Sequence, residues 1–258
     1  MSKTGQSKKI VSRLFAFGCS FTNYRWSTWA DCLAPEFDKF KNWGQAGAGN
    51  PYIFNSVMEA DQQYIFNSTD TVVVCWTNIM REDRYIQDRW VTLGNIMTTP
   101  IFTKEFVTDA VCERGNLIRD MAMIKAVKTL LENCPGLTWR FLSLCSLRRP
   151  DPYSATEMQH PDVFNLYASV TDCILPSYID VLGDAYWNTD RKNRPRHDAT
   201  YGLDKIDYHP TPAEHLKYLD TVLPGWVTKA ETRVKIAQES VNLNKDPRRS
   251  GMTRFYRL

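Results

Sequence analysis

The chain contains no 18-residue window apolar enough to cross a bilayer, no Cys-x-x-Cys pair, no internal repeat, no low-complexity block and only four histidines among 258 residues. Each shortage removes a class of protein. Without a long apolar run, no transmembrane helix is expected. Residues 1–9 are polar and basic, and the apolar run behind them is short and carries Arg13, so no signal peptide is expected. Seven cysteines, at positions 19, 32, 75, 112, 134, 145 and 173, form an odd set without paired spacing. That argues against a secreted disulfide framework and for a reducing, cytoplasmic setting. His160 and His197 are scattered and lack metal-ligand spacing, so no metal is implied. The glycine-rich stretch at 44–50 lacks the Lys and Ser or Thr of a phosphate loop, and no cofactor is expected. A formal net charge of +3 is close to neutral and argues for neither a nucleic-acid nor a membrane partner.

What remains is an ordinary globular composition, 43% hydrophobic and 24% charged, in a chain of 29.9 kDa. That length suits one α/β domain over residues 1–240. Residues 241–258 form a basic tail, in which Lys245, Arg248, Arg249, Arg254 and Arg257 stand against Asp246 with Phe255 and Tyr256 interleaved. It reads as a solvated tail or as a docking arm for a protein partner. Strands are expected over 10–17, 37–43, 72–76 and 137–144, and helices over 28–33, 51–65, 117–131, 163–174 and from Thr211 through 223. Ile53, Val57, Ala60 and Tyr64 recur at helical spacing, and Thr211-Pro212-Ala213-Glu214 is a capping box. Strand and helix alternating in this rhythm imply a parallel sheet covered on both faces. Residues 80–114 interrupt the rhythm and are expected as a lid or specificity insertion.

In an open parallel sheet, functional groups gather beyond the carboxyl ends of the strands. Four signals fall there. Ser20 follows the first strand, and its hydroxyl is a nucleophile if a base takes its proton. Gly44-Gln45-Ala46-Gly47-Ala48-Gly49-Asn50 either permits a tight turn or lets a backbone N–H approach an oxyanion. Asn78, after the 72–76 strand, either caps a turn or supplies a second donor. His209 precedes the last expected helix, with Asp207 two residues before it. Together they supply nucleophile, base, orienting acid and oxyanion donors. Cys19 could be mistaken for a thiol nucleophile but is expected to point to the opposite side from Ser20 in an extended chain, and His215 is read as structural.

These blocks resemble the SGNH hydrolases, also called the GDSL esterase and lipase superfamily: Gly18-Cys19-Ser20, Asn42-Trp43-Gly44-Gln45-Ala46-Gly47, Trp76-Thr77-Asn78 and Asp207-Tyr208-His209-Pro210, in that order. The resemblance implies a three-layer α/β/α sandwich, flavodoxin-like, with about five mostly parallel strands. It also implies Ser20 as nucleophile, His209 as base, and Ser20 N–H, Gly47 N–H and the Asn78 side chain as the oxyanion hole. Cys19 stands where the family has Asp, Trp76 where it has Gly, and Ile206 at the usual place of the acid. Some family members carry the acid two residues before the His, so Asp207 is the expected acid and Asp204 the reserve; if neither reaches the imidazole, Ser20 and His209 are expected to act as a dyad.

The implied reaction is ester hydrolysis through an acyl-serine intermediate. Trp26, Trp43 and Trp76 adjoin the motifs and either pack the core or stack on sugar rings. Trp76 and Arg81 are candidate substrate-binding residues, with Arg81 and Arg84 on a solvated helix face or against an anionic substrate. The Gly-Cys-Ser-Phe block and His-Pro-Thr-Pro ending resemble compact members often found in phage genomes, which suggests an O-acetyl group on a glycan as substrate. The alternative is a virion or assembly protein that keeps the fold as a binding module.

Overall fold

In the computed structural model, residues 11–97, 102–149, 157–183 and 207–245 are described. The first apolar run becomes β1 (Arg13–Phe17), the extended stretch expected over 37–43 becomes β2 (Lys39–Asn42), and the stretch Asp-Thr-Val-Val-Val-Cys-Trp becomes β3 (Asp70–Trp76). All seven residues of β3 are buried. Successive strand side chains point to opposite faces, so continuous burial means that both faces of the sheet are covered. β-branched valines suit that site, each contributing about 1.5–3 kcal/mol of apolar burial.

A hairpin, β4 (Arg81–Ile86) and β5 (Arg89–Asn95), precedes the last strand of the main sheet, β6 (Thr138–Ser143). The main sheet is parallel with the order β2-β1-β3-β6. Beyond β6, Ile174 makes a single parallel bridge to Phe141, so among the described residues the fifth position is marked by one residue rather than a strand. The chain moves outward from β1 to β2, then crosses back past β1 to β3 and on to β6. Right-handed crossovers in opposite directions put their helices on opposite faces. Accordingly α2 (Asn50–Tyr64) packs with α4 (Glu113–Glu132), while α1 (Trp29–Leu33) packs with α8 (Pro212–Val222), which in turn packs with α9 (Ala230–Lys245). The reversal of direction lies between β1 and β3, and in such sheets the crevice at that switch point is where ligands bind.

Several elements depart from their expectations. The insertion at 80–114 holds the β4–β5 hairpin and a short helix, α3 (Lys104–Ala110), and Arg81 and Arg84 lie on a strand rather than a helix face. The hairpin turns through Gln87 and Asp88 at φ 49° and 60°. Two left-handed residues give the tight turn that a hairpin favours, but without the Asn-Gly signature that would have revealed it. The helix expected over 163–174 is two short ones, α5 (Pro161–Leu166) and α6 (Ala168–Thr171), separated where Tyr167 leaves helical geometry at ψ 22°. α7 (Tyr178–Leu182) and α9 had no periodic signal; Val234 and Val241 of α9 face solvent. Residues 241–245 complete α9, and the remainder of the basic tail lies outside the described residues, as does Asp204. Among the described residues no helix is long and apolar enough to cross a membrane.

Candidate active site

The end of β1 opens into a loop that only glycine can begin. A Cβ on Gly18 would collide with the Thr22 hydroxyl and come within 3.1 Å of the Cys75 carbonyl. The next residue, Cys19, is wholly buried and faces the core, and its carbonyl accepts from the N–H groups of Thr22 and Asn23. Ser20 is thereby turned into the crevice with only 6% of its surface exposed.

The other half of the site comes from the opposite end of the chain. Thr211 and Glu214 form a reciprocal capping box that starts α8, and Trp26 Nε1 donates to the Pro210 carbonyl at 2.6 Å. Those contacts place His209 so that its Nε2 lies 2.8 Å from Ser20 Oγ, while its Nδ1 lies 2.7 Å from Asp207 Oδ1. Asp207 has no exposed surface. Burial alone would raise its carboxyl, but hydrogen bonds and charge from His209, with the Tyr24 hydroxyl, outweigh burial and hold it at about 2. An ionised Asp207 accepts a hydrogen bond from Nδ1–H, which leaves Nε2 as the acceptor facing Ser20.

Tyr24 and Arg25 carried no signal in the sequence, yet both touch this acid. Tyr24 Oη donates to Asp207 Oδ2 at 2.6 Å and Arg25 donates to the same oxygen at 2.8 Å. The Tyr24 ring also lies over the His209 imidazole, 3.8 Å between centroids at 17°. Burial, then the charge and hydrogen bond of Asp207, push the Tyr24 phenol up, so it stays protonated as a donor.

The glycine block and Asn78 sit along the same edge. Gln45 N–H donates to the Gly18 carbonyl, Asn42 Nδ2 to the Thr22 carbonyl and Asn23 Nδ2 to the Gly44 carbonyl. Gly47 has φ +75°, and a Cβ there would meet the Thr92 carbonyl at 2.5 Å, so the turn needs glycine because β5 packs directly on it. Gly94 N–H in turn donates to the Gly47 carbonyl. Asn78, 1% exposed, accepts the Met80 N–H on Oδ1 at 2.7 Å, which identifies its other terminus, Nδ2, as the donor. Beneath it, Asn50 exchanges hydrogen bonds with the backbone of Thr77 and donates to Asp120 at 2.6 Å. Burial pushes the Asp120 carboxyl up to about 6, with the Arg119 and Asn50 contacts opposing it.

One expectation is corrected, and one open alternative is decided. Trp76 has no exposed surface and packs edge-on against Phe141 in the core, so it cannot reach a substrate. Its position inside β3, with both faces covered, is the reason. Trp26 and Trp43 are likewise buried, at 3% and 6% exposure, and are not sugar platforms. Arg81 donates to the Ala48 carbonyl at 2.9 Å, which engages it in holding the glycine loop. His215 is fully buried with Nδ1 2.7 Å from Tyr178 Oη. Burial and the nearby His209 keep its ring neutral. His160 lies 3.3 Å from Glu113 on the surface, away from these groups.

No family model matches the sequence, and no curated protein matches it. Solved structures similar in backbone include an α/β hydrolase enzyme from the metagenome of Lake Arreo, Spain, at 15% identity and TM-score 0.46 over 84% of this chain and 97% of that one. A member of the lipolytic G-D-S-L family from Veillonella parvula is similar at 10% identity and TM-score 0.43, covering 82% and 97%. A catalytic mutant of an acetylxylan esterase from Geobacillus stearothermophilus is similar at 14% identity and TM-score 0.42, covering 86% and 100%.

Proposed function

We propose that this chain is a serine ester hydrolase of the SGNH kind. The observation that carries the reading is the continuous hydrogen-bond line from Ser20 Oγ through both ring nitrogens of His209 to the ionised Asp207. In the proposed reaction His209 Nε2 takes the Ser20 proton as Oγ attacks the acyl carbon. The carbonyl oxygen becomes an oxyanion, for which the Ser20 N–H, the Gly47 N–H and Asn78 Nδ2 are the proposed donors. Collapse of the tetrahedral intermediate breaks the ester C–O bond, and His209 returns its proton to the departing alcohol. Water, deprotonated by His209, then attacks the acyl-serine and releases the carboxylic acid and free Ser20.

For the substrate we propose an ester carried on a glycan, such as an O-acetyl group. In support, the hairpin hydrogen-bonded to the glycine loop presents Tyr85, 61% exposed, beside Trp90 at 5.5 Å between ring centroids. Exposed aromatic faces suit sugar rings. The test is hydrolysis of p-nitrophenyl acetate and of an acetylated oligosaccharide by wild type and Ser20→Ala, with labelling by a fluorophosphonate located by mass spectrometry. Loss of both activities in the variant and label on Ser20 are expected. Equal slow turnover by the two proteins, with Ser20 unlabelled, rules out the esterase.

A further inference from the structure

We propose that Tyr24 and Arg25 are positioning residues for the acid of this site: they occupy Asp207 Oδ2 and so commit Oδ1 to His209. The inference rests on the esterase reading for its kinetic consequence, but its geometry is independent of what the substrate is.

A carboxylate on a rotatable bond offers two equivalent oxygens and holds an imidazole only as well as it is itself held. Here the two oxygens have separate duties. Oδ2 accepts from Tyr24 Oη at 2.6 Å and from the Arg25 guanidinium at 2.8 Å. Oδ1 accepts from His209, through its backbone N–H at 3.0 Å and Nδ1 at 2.7 Å. Rotation of the carboxylate would break all of these together, each charge-assisted and three of them at 2.8 Å or shorter. The base is held by the same strap, because the Tyr24 ring covers one face of the imidazole. The third consecutive residue, Trp26, bonds the Pro210 carbonyl at 2.6 Å, and the Arg25 guanidinium lies 4.8 Å from the centre of the Trp26 ring. Residues 24–26 thus clasp residues 207–210 from the far end of the sequence. They begin four residues after Ser20, so the loop that carries the nucleophile also fixes the distance to its base.

Arg25 does more than hold. Among the described residues, the charged and titratable groups around the His209 ring are Asp207, Arg25, Tyr24 and the buried, neutral His215, with Ser20 at Nε2. Arg25 offsets part of the Asp207 charge felt by an imidazolium. Removing it while Tyr24 still holds the carboxylate strengthens the imidazolium and moves its titration to higher pH. A merely structural arginine would not move that titration.

The test compares wild type with Tyr24→Phe, which keeps the ring and deletes the hydroxyl, and with Arg25→Gln and Arg25→Lys. Two readouts are taken: kcat and KM for p-nitrophenyl acetate across pH, and the low-field Nδ1 proton and ring titration of His209 by NMR, assigned by their loss in His209→Gln. Tyr24→Phe is expected to lower kcat about tenfold with KM within about twofold, as for loss of one hydrogen bond to a charged group. It should also shift the low-field proton. Arg25→Gln should raise the acidic limb of kcat/KM and the NMR midpoint together, and Arg25→Lys should restore both. The proposal is overturned if kcat, the acidic limb, the low-field proton and the midpoint all stay at wild-type values in Tyr24→Phe and Arg25→Gln. If Ser20→Ala hydrolyses esters as wild type does, the esterase reading has failed, and the NMR signals alone decide the clamp: unchanged signals refute it, and shifted signals support it.

Discussion

Replacing Asp207 by Asn tests the site where its geometry is most specific. Among the described residues the carboxylate accepts four hydrogen bonds, from Tyr24, Arg25 and twice from His209. An amide has one acceptor oxygen and one donor terminus. With its oxygen toward Tyr24 and Arg25, its NH2 faces His209 Nδ1, which must then present a lone pair. The ring proton moves to Nε2 and points at Ser20 Oγ, and the base cannot accept the hydroxyl proton. With the amide turned over, its NH2 confronts the Arg25 guanidinium, two donors without an acceptor, at a cost of about 1–3 kcal/mol. The first arrangement leaves the neutral His209 backbone N–H without its acceptor, the second a charged guanidinium, so the first costs less, and it carries the wrong tautomer. The expected loss in kcat on p-nitrophenyl acetate is therefore about 10³–10⁴-fold, equivalent to roughly 4–5.5 kcal/mol of barrier. Asp204→Asn, in the same assay, should stay within about twofold of wild type. A folded Asp207→Asn protein that loses less than about tenfold, or a larger loss at Asp204, would refute the assignment of the acid.

Two further outcomes follow from the surroundings of the site. Gly47→Ala forces a side chain into positive φ against the Thr92 carbonyl. It should lower stability by about 1–3 kcal/mol and reduce kcat, read by urea unfolding and the ester assay; a variant with wild-type midpoint and rate shows that the turn is not constrained as described. Asp120 has a folded-state carboxyl raised to about 6 by burial, above the unfolded value of about 3.9. The folded state then binds the proton more tightly, so stability present in acid is lost as pH rises from about 4 to 6, by about 3 kcal/mol at most. Asp120→Asn should flatten that part of the stability profile in urea melts, and parallel wild-type and variant profiles would exclude the account.

The main sheet was largely legible because its elements announce themselves locally. A run such as Val72-Val73-Val74 has few alternatives to a buried strand, and Thr211-Pro212-Ala213-Glu214 carries its own helix start. The β4–β5 hairpin was not legible, because its turn is made by Gln87 and Asp88 and its strands face solvent along much of their length. The last helix was hidden by valines that face outward. In the site, Ser20, Asp207 and His209 stood out as residue types at telling places. The buried state of Trp76 did not, since an aromatic at the end of a strand reads equally as core or as platform.

Local chemistry in the sequence determined the alternation of strand and helix, the glycine-dependent turns, and the presence of a hydroxyl, an imidazole and a carboxylate at loop positions. Only the tertiary structure decided that they meet. The direction of crossover around β1 brings the loop after the first strand to the start of α8, across 189 residues, and sets Ser20 2.8 Å from His209. The same packing recruited Tyr24 and Arg25 to Asp207. A side chain's partner depends on where the sheet places distant loops, and hydrophobic periodicity carries no record of that distance.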